Sequence, residues 1–168
     1  MVTYVVTFAA WSIALAMSRG RFPHGEKASM MGDKIGEAAG KVIGTRILPG
    51  EGGRYIKMEV TVQTQATYLG QKGTDTGTYV AYERVPGQVY GEGQGIFVTD
   101  DGEGVIWNGM GVGTPTGQGM GMKWSAACTY QTNSNKLARL NGIVGMVEHE
   151  TDAQGNAKVR VWEWKAAK

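Results

Sequence analysis

From Gly36 onward, apolar and polar residues alternate with a period of two, and turn-forming residues interrupt the alternation about every dozen positions. The pattern predicts strands at 36–48, 54–68, 76–85, 88–98, 104–113, 118–131, 142–150 and 157–165. The breaks between them are Pro49 to Gly53, Gly70 to Asp75, Pro86-Gly87, Asp100-Asp101-Gly102, Thr114-Pro115-Thr116-Gly117 and Asp152 to Gly155. Only Ser134 to Leu140 reads as a helical turn, with Asn133 or Ser134 as its cap. Short connections without a crossover helix make an all-β antiparallel meander. Eight such strands can close on themselves, which removes exposed edges and leaves an interior that fits side chains or one small ligand. An eight-stranded barrel is the expected architecture, with a two-sheet sandwich as the alternative.

The stretch from Tyr90 to Gly113 carries glycine at nearly every second position on both sides of Asp100-Asp101-Gly102. Both Thr99-Asp100-Asp101-Gly102 and Thr114-Pro115-Thr116-Gly117 fit a type I turn followed by a glycine bulge. The first turn sets Ile96 against Ile106, Gln94 against Asn108, and Glu92 against Met110. The second sets Asn108 against Trp124 and Met110 against Met122. A turn at Pro86-Gly87 adds Tyr79 beside Gln94, Ala81 beside Glu92 and Glu83 beside Tyr90. In this register the glycines share one face. The other face carries Met120, Met122, Trp124, Ala126, Cys128 and Tyr130 in the strand at 118–131. Apolar residues face inward, so the glycine face is expected to point outward, bare enough for another backbone or subunit to approach.

That register defines a candidate pocket of Met110, Met122, Trp124, Ile96 and Ile106, with a polar row of Tyr79, Gln94 and Asn108. It matches the usual ligand site, mostly apolar with a few convergent polar groups. Tyr79, Gln94, Asn108, Met110, Met122 and Trp124 are the candidate ligand contacts. Glu92 is the candidate catalytic acid or base, because a carboxyl enclosed among apolar groups resists ionisation. The competing reading is a buried polar network in which Tyr79, Gln94 and Asn108 satisfy one another. Trp107 and Tyr130 read as packing residues. Trp162 and Trp164 share a face with Arg160 and suit a rim or subunit contact.

Composition narrows the function. The chain has 168 residues, a formal net charge of +2 and 19% charged residues, with no basic cluster, so nucleic acid is not an expected partner. Glycine supplies 27 residues, over twice the usual ~7%. Cys128, alone of its type, excludes an intrachain disulfide and reads as a small buried apolar residue. His24 and His149 lack partners at metal spacing, so no metal site is expected. The glycines alternate within strands and open no helix, which argues against a phosphate loop. No Ser-His-Asp arrangement is apparent, and no cofactor is implied.

Residues 2–17 are mostly apolar and free of charge, and the segment after them is polar. A spanning helix needs ~20 apolar residues, and a signal peptide wants a preceding Lys or Arg. An over-extended start, a signal peptide, a membrane anchor and a helix packed on the domain all stay open for residues 1–33, with the barrel domain at 34–168. The localisation follows that choice: cytoplasmic for a downstream start, secreted for a signal peptide, membrane-attached only for a retained anchor.

The phrases GKVIGTRIL, KMEVTVQTQATYLG, TDTGTYVAYERV, QVYGEGQGIFVTDDGE and VRVWEWK, spread over Gly36 to Lys165, resemble bacterial proteins of the allene-oxide-cyclase-like barrel type. The resemblance implies an eight-stranded barrel with a hydrophobic cavity, commonly oligomeric, in a group that includes cyclases of lipid or polyketide precursors. No cyclase catalytic residue matches a position here. The expected function is binding of a small apolar molecule in the barrel. A cyclase or isomerase acting on a lipid-like or polyketide-like substrate, and a structural, oligomer-forming barrel with a filled core, are the alternatives.

Overall fold

The computed structural model describes residues 31–50 and 57–165. The expectations for residues 1–30, and so for targeting and membrane attachment, lie outside the described residues. Eight antiparallel strands follow one another around a closed barrel: β1 (Met31–Leu48), β2 (Lys57–Tyr68), β3 (Gln71–Val85), β4 (Gln88–Thr99), β5 (Gly104–Pro115), β6 (Met122–Thr132), β7 (Val144–Thr151) and β8 (Asn156–Trp164). β8 returns to pair with β1, Gly40 opposite Ala157 and Gly36 opposite Val161. The expected closed barrel is the observed one, and closure leaves no strand edge available for aggregation.

A short 3-10 helix, Ala138–Gly142, joins β6 to β7. The backbone N–H of Leu137 donates to Ser134 Oγ at 3.2 Å, so the serine caps the turn that leads into the helix, which itself has no side-chain cap. Leu137 and Leu140 are fully buried, and with Phe97, Val105, Tyr68 and Ile35 they form the main core cluster. A smaller cluster of Val60, Val62 and Ala157 lies apart from it.

The β4–β5 hairpin has the expected form. Gly102 takes a positive φ of 90°, its N–H donates to Thr99 O at 2.9 Å, and Gln94 faces Asn108. The next hairpin differs. Residues 116–121 form a longer loop, and β6 begins at Met122, so Asn108 faces Thr129 while Trp124 faces Gly113. An odd slip in register moves every side chain of β6 to the other face. The β3–β4 hairpin also departs by one residue. An irregularity between Glu83 and Val85 sets Tyr79 opposite Gly93 and Ala81 opposite Gly91.

These shifts reverse the expected inside and outside on β4 and β5, while Tyr79 on β3 and the face of β6 that carries Trp124, Ala126, Cys128 and Tyr130 stay inward as expected. Gly91 and Gly113 are buried, whereas Ile96, Ile106 and Met110 are exposed by 46%, 48% and 60%. The glycine face is the lumen. The reason lies in aromatic volume. The Trp107 indole rests against Gly77 and Gly95, where a Cβ on Gly95 would come within 2.5 Å of the ring. The Trp124 indole rests against Gly91 and Gly113, where an added Cβ would sit 2.9 and 2.8 Å away. Two indoles fit inside an eight-stranded barrel because the walls behind them are bare backbone.

Candidate functional site

Lumen-facing positions on seven strands, β2 to β8, surround a cavity of about 120 Å³. Tyr79 and Trp124 are among its lining residues, so two of the expected ligand contacts do project inward. Met122 shares the inward parity of β6 but is only half buried and does not line the cavity. Gln94 and Asn108 are partners as expected, on the outer face. The expectation that Glu92, Gln94, Asn108 and Met110 project into the lumen with Trp124 does not hold, because the β5–β6 loop puts Trp124 and Gln94 on opposite surfaces. Glu92 and Met110 border the cavity, but both are exposed and follow the outward parity of their strands. The exposed Glu92 carboxylate accepts a hydrogen bond from the Tyr90 hydroxyl at 3.1 Å.

The polar groups of the lumen come from residues outside that expectation. At one end, β3 carries Asp75, only 8% exposed. Trp107 Nε1 donates to its Oδ1 at 2.9 Å and the Tyr68 hydroxyl donates to its Oδ2 at 3.4 Å. Burial pushes the carboxyl pKa up to about 6, and the two donated bonds oppose that rise. Cys128 and Tyr130, on β6, lie in the same field. Burial pushes the Cys128 thiol up to about 12, with a smaller contribution from Asp75, so this cysteine remains a thiol at neutral pH. Burial likewise holds the Tyr68 and Tyr130 hydroxyls protonated.

At the other end, Trp124 and His149 are cross-strand partners. The Tyr79 ring meets both edge-on, with centroids 5.5 Å from Trp124 and 6.2 Å from His149. Burial lowers the His149 pKa to about 4, which keeps the imidazole neutral, and raises Tyr79 to about 12. Among the described residues, three buried polar atoms have no protein partner: Trp124 Nε1, Tyr130 Oη and His149 Nε2. Leaving a buried donor or acceptor unpaired costs ~1–3 kcal/mol, and such groups in a native fold call for an explanation. A ligand presenting complementary atoms supplies one.

Sequence reasoning missed Asp75 because it placed Gly70 to Asp75 in a turn. In the structure β2 and β3 are joined by a tight turn at Leu69-Gly70, and β3 begins at Gln71. The missed signal was an aspartate in phase with Gly73, Gly77, Tyr79 and Ala81 on one face of a strand. Trp107 and Tyr130 do pack, as expected, and they also hold or face the buried carboxyl. Among the described residues, no group of three His, Cys, Asp or Glu side chains is placed to hold a metal ion.

No family model matches the chain, and no curated protein matches it. Solved structures do. A protein of unknown function from Clostridium acetobutylicum superposes with a TM-score of 0.68 at 11% identity, covering 80% of this chain and 97% of that one. A conserved protein of unknown function from Rhodopseudomonas palustris gives 0.65 at 13% identity, covering 78% and 95%. An enzyme from Penicillium herquei gives 0.58 at 14% identity, covering 83% and 99%. At these identities the likeness is one of fold: the chain has the barrel architecture of these proteins, and function is argued from the site itself.

Proposed function

We propose that the barrel binds one compact, mainly apolar molecule in its lumen. The observation that carries this reading is the set of three unpartnered polar atoms in an aromatic-lined cavity, because a core packed only for stability would satisfy them or omit them. An indole N–H can only donate, so Trp124 asks for an acceptor atom on the ligand. The remaining wall, with Val62, Val147, Val159 and Val161, asks for hydrocarbon. At about 120 Å³ the space is near the ~150 Å³ that accommodates benzene in an engineered apolar cavity. One ring with a polar substituent fits that volume better than a long acyl chain or an extended polyketide. Tyr79 and Trp124 are the contacts retained from the sequence reading.

The allene-oxide-cyclase-like relationship and the cyclase or isomerase alternative belong to the same reading, since both need a ligand in the lumen. The filled-core alternative is disfavoured by the cavity. Native mass spectrometry of freshly purified protein tests the binding. A co-purifying mass of ring size that disappears in Val147→Phe, which fills the lumen from β7, supports it. Wild type and Val147→Phe that carry the same bound mass, or none across preparations and added aromatic ketones, would sink it. A second copy of the chain is the partner proposed for the apolar outer face of β4 and β5, where Ile96, Ile106, Met110 and Val112 are exposed.

A further inference from the structure

The binding reading leaves Asp75 without a task. A carboxyl among aromatic rings is an expensive way to fill a core, and an amide or apolar residue would pack there without the charge. Its two hydrogen bonds come from Trp107 Nε1 and the Tyr68 hydroxyl, and both hold the side chain in one orientation at the cavity wall. Each carboxyl oxygen keeps a further lone pair. Among the described residues no lysine or arginine lines the cavity, and none of them forms an ion pair with Asp75.

The opposite end is a donor site. Asp75 and Tyr79 are four residues apart on one face of β3, roughly 13 Å at ~3.3 Å per residue. Both residues line the cavity, and the Tyr79 ring packs edge-on against Trp124 and His149. Asp75 and Trp124 both line the same cavity of about 120 Å³, so a single ring held there can meet the carboxyl on one side and the unpartnered N–H of the buried Trp124 on the other. A base at one end and an oxygen-directed donor at the other, with hydrocarbon walls between, match the requirements for moving a proton next to a carbonyl.

We propose that the lumen is a proton-transfer site, in which Asp75 removes a proton from the carbon beside the carbonyl of a compact cyclic ketone whose oxygen accepts from Trp124 Nε1. The inference rests on the binding reading. The Asp75 carboxylate forms an O–H bond as the C–H bond breaks. The C–H electron pair becomes the carbon–carbon double bond of an enolate, and the carbonyl π pair moves onto oxygen. The Asp75 O–H then returns its proton, either to the same carbon or to the far end of a neighbouring double bond. In the second case a β,γ-unsaturated ketone becomes its conjugated isomer. Atoms and electrons balance with no oxidant, reductant or cofactor.

The groups around Asp75 are compatible with that role. Tyr68 on β2, Tyr79 on β3, Cys128 and Tyr130 on β6 and His149 on β7 are all neutral near pH 7, and Glu92 on β4 holds its carboxylate on the outer face. The carboxyl, raised to about 6, is ionised at neutral pH and basic enough to work as a base.

Cyclohex-3-en-1-one is a suitable probe, followed by NMR for conversion to cyclohex-2-en-1-one and for deuterium uptake in heavy water. Wild type is expected to exceed the buffer rate, with activity rising as pH passes through about 6. Asp75→Asn is expected to lose on the order of 10²–10⁴-fold, the usual range for a positioned acid or base. Trp107→Phe removes a donor that lowers the carboxyl pKa, so its pH profile is expected to move upward; this second variant decides the matter where Asp75→Asn does not fold. Native mass spectrometry with the same ketone separates the two readings. Ketone bound but not converted above buffer, a folded Asp75→Asn as active as wild type, or a Trp107→Phe profile that does not move overturns proton transfer alone. No bound ketone overturns the use of this ketone class by the lumen and the proton transfer with it.

Discussion

Asp75 and His149 face the same lumen with opposite consequences for stability. The folded pKa of Asp75 is raised, to about 6 from 3.8. The native state therefore binds its proton more readily, and the stability linked to this group is greatest below pH 3.8 and is lost as pH rises through 6. The folded pKa of His149 is lowered, to about 4 from 6.5. Its stability is present above pH 6.5 and is lost as pH falls through 4. At ~1.4 kcal/mol per pKa unit each amounts to roughly 3 kcal/mol, so across pH 4 to 6.5 the two slopes largely offset one another. Denaturant titrations of wild type over that window are expected to show a shallow pH dependence. In Asp75→Asn the histidine slope stands alone, and stability should fall steeply on acidification. In His149→Phe the sign reverses, and stability should rise. A variant pair with slopes of the same sign would contradict the two buried environments.

At the scale of elements, the strands were legible because period two and turn residues are local signals. Seven of the predicted segments end within two residues of β1 and β3–β8 and begin within five, and the β2 segment ends at Tyr68 as predicted. Its predicted start falls among the residues not described. The β4–β5 register was legible too, since a glycine with positive φ closes that turn. The β5–β6 register was not. Thr114-Pro115-Thr116-Gly117 resembles a three-residue hairpin, but the chain continues through Gly119 and Gly121 before pairing resumes. There Thr116 N–H donates to Gly121 O at 3.0 Å and Gly121 N–H to Gln118 O at 2.8 Å. Two odd slips, at the β3–β4 and β5–β6 hairpins, turned β4 and β5 over and carried Gln94 and Asn108 from the expected pocket to the surface. The bare positions can be tested in the same terms. A methyl group at Gly95 would press the Trp107 ring at 2.5 Å and Thr76 O at 2.6 Å. Gly95→Ala is therefore expected to cost ~1–3 kcal/mol by overpacking. Gly104 on the outward parity meets only Ile96 Cδ1, at 4.0 Å, and Gly104→Ala should be near neutral or slightly stabilising. Equal losses in urea melts would argue against a lumen packed through its glycines.

For the whole molecule, closure puts all the backbone hydrogen-bonding edges inside the ring of strands, so any association must use side chains on the outer wall. That wall is uneven. Salt bridges cover parts of it: Arg160 with Glu148 at 3.0 Å, Arg139 with Glu163 at 2.5 Å, and Lys136 with Asp101. The β4–β5 hairpin instead presents Ile96, Val98, Ile106, Met110 and Val112, each exposed by 39% or more. Ile96 lies directly opposite Ile106, and the Gln94–Asn108 pair separates these two from Met110 and Val112 on the same face, so the hairpin presents two neighbouring apolar clusters with a polar pair between them. Clusters of this kind on a soluble protein mark interaction surfaces. Two antiparallel strands carrying them can meet a copy of themselves about a two-fold axis, each residue serving both halves of the contact. Light scattering on eluting protein is then expected to give a multiple of the 18.0 kDa chain. The double variant Ile106→Lys with Met110→Lys, whose side chains never enter the core, is expected to elute as a monomer. Both lysines point away from the lumen, so the variant should bind ketone as wild type does while its assembly is lost. A wild type that is already monomeric at micromolar concentration would leave this face as ordinary surface.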